Sequence, residues 1–545
     1  MNAERLLEVY EQISEAPDAI ARLRRFVLDL AVRGKLVEQD VSEASEQVGF
    51  EPHINDAPYE LPANWRWMRI GDQLDLLNGM AFKPTDWISE GLRIVRIQNL
   101  NNPDAPYNLC DPAMARNRSL IDNGSFLISW SGTPGTSFGA FIWDRGPAVL
   151  NQHIFRCDFQ TDAYTPEFLK LAINGRLDEM IEKAHGGVGL RHITKGKLQA
   201  MLIAVPPLAE QHRIVAKVDE LMALCDRLEE ARKTREKVRD KLTAASLARL
   251  TAPDTTAEDF PTHAAFALEA LPALTTRPNQ IKSLRQTILN LAVRGKLVEQ
   301  QALEGTGQEL MSTIASSLGR RTFARADSSL IDFPIPEGWD LRSLDAITEN
   351  GPKNGLSPTK TENPSAPKAI TLTATTSGQF DGRHFKRVDV SLTAAEPFWL
   401  QPNDLLFQRG NTPEYVGMAA IYDGPEREFL YPDLIMRVRI TSAMSLRFVH
   451  LWCISPVARG YLMANATGAQ KTMPKINQGV LRELPIMIPP LAEQHRIVAK
   501  VDALVALCDR LEAALATTDT TRTRLLEALL HGALEPAPET LEAAE

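Results

Sequence analysis

Apolar residues recur in steps of four and three at Ile214, Val218, Leu221, Cys225 and Leu228. That is the heptad spacing of a helix that packs lengthwise against a neighbour. The same spacing returns at Ile497, Val501, Leu504, Cys508 and Leu511. Each run follows an apolar lead-in (Leu202, Ile203 and Val205 in the first), two prolines where a helix can begin, and a glutamate in the expected first turn. The letters agree as well as the pattern: Pro206–Asp219, PPLAEQHRIVAKVD, is repeated without change at Pro489–Asp502, an offset of 283 residues. A second segment, Leu30–Gln39 (LAVRGKLVEQ), returns at Leu291–Gln300, an offset of 261. It closes a helical face of Leu23, Val27 and Leu30 in one copy and of Leu284, Ile288 and Leu291 in the other. The offsets differ by 22 residues, so the material between the segments is longer in the second half. The halves share a frame and differ in what it holds, as a duplication would leave them.

The material inside each frame has a different period. Short apolar runs bounded by Gly, Pro, Asn and Asp (92–97, 126–130, 138–143, then 405–407 and 434–440) predict strands of a mixed α/β domain. Both domains open alike, on Leu61-Pro-Ala-Asn-Trp65 and Ile335-Pro-Glu-Gly-Trp339, whose tryptophans read as core anchors rather than stacking platforms. Gly124–Gly132 resembles Asn403–Gly410 in placement more than in letters. Each domain closes on a predicted helix (166–183 and 445–464), a loop containing Gly and Lys, and the lead-in to the long helix. Residues 251–278, rich in Thr, Pro and Ala with no clear period, read as a linker.

The expected fold class is α+β: two mixed α/β domains separated by two long antiparallel helices in coiled-coil contact, the halves related by a pseudo-twofold axis. The expected divisions are 1–57 (helical), 58–205 (first domain), 206–250 (long helix), 251–280 (linker), 281–332 (second copy of the helical region), 333–488 (second domain) and 489–545 (second long helix and acidic tail). About 40 helical residues would hold the domains roughly 60 Å apart at most.

Charge and chemistry narrow the class. A net charge of −9 argues against non-specific coating of nucleic acid, but the two α/β domains are close to neutral, so the acid lies in the frame and tail. Five scattered cysteines with no Cys-x-x-Cys, no spanning apolar run and no signal-peptide layout fit a cytoplasmic protein without structural zinc. The Pro-Pro pairs are followed by Leu, so no Asn/Asp-Pro-Pro-aromatic loop is present to grip a target amine. Neither a Gly-x-x-x-x-Gly-Lys-Ser/Thr loop nor a Rossmann spacing occurs, and Pro432-Asp433 lacks a downstream Glu-x-Lys. The duplicated His212 and His495 read as helix-surface or partner contacts rather than metal ligands. The expectation is a chain without catalysis, metal or cofactor of its own.

The paired Pro-Pro-Leu-Ala-Glu-Gln-His-Arg-Ile-Val and Leu-Ala-Val-Arg-Gly-Lys-Leu-Val segments, in this order around two differing domains, resemble the specificity subunit of Type I restriction–modification systems. The resemblance covers nearly the whole chain. It implies that each α/β domain is a target recognition domain reading one half of a bipartite site in double-stranded DNA. It also implies that the helices set the gap and bind two modification (methyltransferase) subunits, and that restriction (translocase/nuclease) subunits join that core. S-adenosylmethionine would belong to the modification subunit, ATP and Mg to the restriction subunit.

Candidate DNA contacts lie in the loops before each lead-in strand. In His185–Lys197 these are Arg191, His192, Lys195 and Lys197; in Thr467–Asn477 they are Gln470, Lys471, Lys475 and Asn477. Arg and Lys suit phosphates or guanine edges, and Gln and Asn suit adenine. The same loops read equally as solvated turns before a buried strand. A second set, Arg409 and Asn411 with the counterpart 131–135, reads first as a Gly-Pro turn, and Lys83, Lys353, Asn354 and Lys360 form a third. The alternative function is a helical scaffold for two protein partners without sequence-specific DNA reading.

Overall fold

The computed structural model describes residues 15–40, 42–43, 57–132, 138–176, 191–252, 255–256, 258–319, 326–467 and 473–534. The chain forms two compact units, one of Met1–Arg235 with Asp519–Glu545 and the other of Glu236–Thr518.

Unit one begins with the helix Ala19–Val32, which ends at Gly34. With φ of 68°, Gly34 occupies the left-handed region, and an added Cβ would lie 2.4 Å from Pro62. The chain enters head one through Trp65 and the strand Arg66–Arg69, which pairs antiparallel with the lead-in strand Leu202–Val205. The head holds two four-stranded sheets. The first runs, in spatial order, Leu74–Asn78, Ile154–Phe159, Phe126–Ser129, Gly139–Ile142, all antiparallel. The second runs Asn108–Cys110, Leu92–Val95, Ala148–Leu150, Leu120–Ile121, its two central strands parallel.

Period-two geometry explains why the central strands read as unbroken apolar runs. Phe126 and Ile128 point into the core shared with the helices, whereas Leu127 between them joins Val95, Trp143 and Leu150 under the second sheet. Both faces are covered, so both sets of side chains are apolar.

Unit two repeats the entry strand pair and the first sheet with different letters. Its first sheet is Thr348–Asn354, Ile435–Ile440, Leu405–Gln408, Ala419–Ile421, and Leu405 and Phe407 face the helices while Leu406 faces the second sheet. The second sheet runs Thr359–Lys360, Phe385–Asp389, Lys368–Ile370, Phe429–Leu430, and its parallel pair, Lys368–Ile370 with Phe429–Leu430, lies at one edge rather than at the centre. The helix predicted over 445–464 is two helices, Leu446–Ile454 and Pro456–Ala464, because Pro456 lacks an N–H and Ser455 caps the second one. In unit one the closing helix is Pro166–Asn174, shorter than predicted, with Gly175 at its C-cap; the rest of that prediction, from 177, lies outside the described residues. Within the stretch read as linker runs a helix, Phe260–Leu274, whose Ala264 and Ala267 pack on Leu247 and Leu250.

The repeated letters make a repeated latch. The indole N–H of Trp65 donates to the buried carboxylate of Glu210 at 3.0 Å, and Trp339 does the same to Glu493 at 3.0 Å. Gln211 accepts the backbone N–H of Thr165 (2.8 Å) and donates to the Pro206 carbonyl (2.9 Å); Gln494 treats Ser445 (3.0 Å) and Pro489 (2.9 Å) alike. Arg213 grips Glu43, and Arg496 grips Glu304. Arg24 bridges Asp226 and Glu229, as Arg285 bridges Asp509 and Glu512. Each latch ties three stretches: the repeat helix and its exit, the opening of the head, and the first turns of a long helix.

The long helices are Leu208–Thr251 and Leu491–Leu534, 44 residues each. Their heptad positions turn inward at the start. Ile214 and Val218 are buried in the core of head one, and Ile497, Val501 and Cys508 in that of head two. At the far end of the second helix, Leu526 packs on Ala16 and Ala19, and Glu527 pairs with Arg22. Among the described residues no helix is long and apolar enough to cross a membrane, and no metal-binding cluster occurs.

Two stability outcomes follow. Trp339→Phe leaves Glu493, whose carboxyl burial already pushes above the usual range, without its indole donor. Denaturant unfolding of this variant is expected to show a loss of about 1–3 kcal/mol; a loss below about 0.5 kcal/mol would mean the bond is not a main tie. Buried His450 donates from Nε2 to the carbonyls of Gly378 and Ala419, at 2.9 and 3.2 Å, and burial with the nearby Arg447 charge lowers its pKa from 6.5 to about 4. The depressed value means the unfolded chain binds this proton more readily. Its contribution is therefore full above pH 6.5 and is lost as pH falls toward 4, by roughly 3 kcal/mol. Unfolding midpoints across that range should fall more steeply for the wild type than for His450→Gln, which keeps a donor.

Candidate nucleic-acid interface

In each head three segments meet at one end of the first sheet: the exit of the strand Phe126–Ser129 or Leu405–Gln408, the turn before the strand Ile154–Phe159 or Ile435–Ile440, and the segment before a short helix. The junction is built the same way twice. The backbone N–H of Trp130 donates to the His153 carbonyl (3.4 Å) and its own carbonyl accepts from Ile193 (3.0 Å). The N–H of Arg409 donates to the Leu434 carbonyl (2.7 Å) and its carbonyl accepts from Ile476 (2.8 Å). Ser131 pairs with His192, and Gly410 with Lys475. Beneath lie Gly79 and Gly355, where an added Cβ would come within 2.2 Å of the Asn151 carbonyl oxygen and 2.1 Å of that of Tyr431. Only glycine lets the chain pass so close.

The candidate residues sort by what already holds them. Lys195 lies in the short helix Lys195–Gln199 and donates from Nζ to the Leu76 carbonyl at 2.7 Å; Lys197 is half-buried in the same helix. Asn477 is the N-cap of Gln478–Arg482, accepting from the Val480 N–H at 2.9 Å, the role Thr194 has in head one. The Asn411 side chain donates to Gln408 at 2.6 Å, and buried Gln408 in turn holds the Leu372 carbonyl and the hydroxyls of Thr375 and Thr376. Lys475 lays its aliphatic stem across Gly410, where an added Cβ would meet its Cγ at 3.0 Å. Arg409 is half-buried beside it. Arg191 and His192 form the strand paired with Ser131 and Gly132, but their side chains, like Gln470 and Lys471, lie outside the described residues. In the third set Lys360 is paired with Glu362, whereas Lys353 is exposed on the strand Thr348–Asn354.

The junction thus brings Arg409 and Lys475 together in head two and gives Asn411 and Asn477 hydrogen-bond partners within the fold. Trp130, absent from the candidates, holds the place of Arg409. The alignment of Gly124–Gly132 with Asn403–Gly410 already sets the two residues opposite each other, and the 283-residue offset sets His192 opposite Lys475.

The model of one protein family, the Type I restriction modification DNA specificity domain, matches residues 62–236 and 336–517. The chain belongs to that family. Its two matches coincide with the two heads and the first turns of the long helices. Among similar proteins, the EcoEI and EcoAI specificity subunits of Escherichia coli are each 24% identical to this specificity protein, with 94% of both chains covered in each case. A chain solved in work on complex assembly and conformational transition of the type I R-M system shares the fold, with a TM-score of 0.50 at 17% identity over 88% of this chain and 99% of that one.

The cap assignment has a measurable consequence. Asn477→Ala is expected to lower the stability of head two by about 1 kcal/mol, the usual cost of losing an N-cap. An unchanged unfolding midpoint would contradict the capping role.

Proposed function

We propose that this specificity protein is the DNA-reading part of a Type I restriction–modification complex and carries no catalysis of its own. Each head reads one half of a bipartite site in duplex DNA, and the repeated frame engages two modification subunits. The observation that carries this reading is the pairing of two matching latches with two heads whose first sheets share one strand order and whose junction residues differ. Identical frames suit identical partners, and differing junctions suit two different half-sites. Leu224 and Leu507, at equivalent places on the two long helices, are 42% and 45% exposed and fit apolar contacts with a partner. The long helices act as the spacer that fixes the unread gap. S-adenosylmethionine is then bound by the modification subunits, and ATP and Mg by restriction subunits that join the core in the cytoplasm.

Mapping methylated adenines in DNA from cells that express the chain with its modification subunit tests this. An interrupted two-part motif should appear, and exchanging residues 58–205 for those of another specificity protein should change one half of it only. Methylation independent of this chain, with the partner still bound, would favour a protein scaffold instead.

A further inference from the structure

Head two spans residues 333–488 and contains ten arginines. Nine of them hold a carboxylate, a side-chain amide or a backbone carbonyl at 3.3 Å or less, as Arg439 holds Asp404 at 2.6 Å and Arg387 the Ala366 carbonyl at 2.7 Å. Arg409 is the exception. Among the described residues its guanidinium makes one hydrogen bond, from Nη1 to the Asp433 carbonyl, at the long distance of 3.5 Å. Its backbone is fixed on both sides, yet its fork of donors is largely unspent. In a head that otherwise commits its arginines to the fold, this one is held ready for something outside it.

We propose that Arg409 reads a guanine in the half-site of head two, and that Trp130 occupies the same reading position in head one. The inference rests on the DNA-reading function proposed above. A guanidinium matches the O6 and N7 acceptors that guanine shows in the major groove, and it can bind both at once. The internal comparison favours a base over a phosphate. Every duplex presents the same phosphates, so a phosphate contact calls for a cation in both heads. Here one backbone site, with the same two hydrogen bonds, carries a guanidinium in one head and an indole in the other. The Trp130 ring, stacked on Phe155 at 5.7 Å and half-buried, offers an apolar edge suited to a thymine methyl. Lys475, exposed alongside Arg409, supplies the phosphate contact that positions it.

The experiment selects binding sequences from a randomised duplex library with the complex of the full chain and its modification subunits, for the wild type, Arg409→Ala and Arg409→Lys. Both variants should keep the wild-type unfolding midpoint, because so little of the fold hangs on this side chain. Both should lose the preference for guanine at one position of one half-site, with discrimination there falling roughly 10- to 100-fold and the other half-site unchanged. Lys475→Ala should weaken binding to all sequences alike and flatten its salt dependence. If Arg409→Ala also weakens binding evenly and leaves the selected motif intact, Arg409 is a phosphate contact and the inference falls, while DNA reading stands. Changes in both half-sites would overturn it too. A wild-type complex that selects no motif would remove the DNA-reading function, and this inference with it.

Discussion

A single buried hydrogen bond, from a tryptophan indole to a glutamate carboxylate, is the tie on which each half of the molecule depends. The tryptophan stands at the entrance of the head and the glutamate in the first turn of the long helix. The repeat helix is drawn in by Gly34 or Gly295, whose left-handed backbone lies against the proline just before that tryptophan. A carboxylate out of contact with water is tolerated only when donors surround it. Trp65 and Gln39 supply two of them in unit one, and Trp339 with Gln300 answers in unit two. Since Trp, Gln and Glu come from three different stretches of chain, the carboxylate gains both donors only when all three stretches are in place. It therefore acts as a test of correct assembly as well as a contribution to it.

The first sheets of the two heads show how one strand order accepts two sets of letters. What the fold requires of the central strands is an apolar side chain on each face, and Phe-Leu-Ile or Leu-Leu-Phe meets that requirement equally. What the junction requires is glycine where the chain passes beneath and free backbone groups where strands meet. Side chains at the exit of the strand are under neither demand. Trp130 and Arg409 differ there at little cost to the architecture, so the side chains at this exit can change while the scaffold stays constant.

Much of this was legible in the letters. The duplicated segments gave the frame, the entrance tryptophans read as anchors, and the unbroken apolar runs marked strands covered on both sides. In head two the apolar spacing continues through Ser455-Pro456 and predicts one closing helix, which the missing N–H of Pro456 breaks. The helix Phe260–Leu274 shows no strong period in the letters, and among its described side chains Phe260, Ala264 and Ala267 make the packing. At the junction, composition marks the polar residues but not what holds each of them. Asn477 and Asn411 carry the same amide that reads adenine, yet a cap and a buried glutamine claim them. Among the described residues, Arg409 differs from the nine other arginines of head two by how little its guanidinium holds, which no sequence spells out.

The pairing of Leu526 with Ala16 and Ala19 bears on synthesis. Unit two is a single uninterrupted stretch, so everything it packs emerges from the ribosome in one passage. Unit one is not. Its last piece leaves the ribosome some 280 residues after Arg235, a wait of tens of seconds at roughly 5–20 residues per second. Until then Ala16 and Ala19 lack the apolar cover that Leu526 gives them. The half that is made first is therefore the half that is finished last.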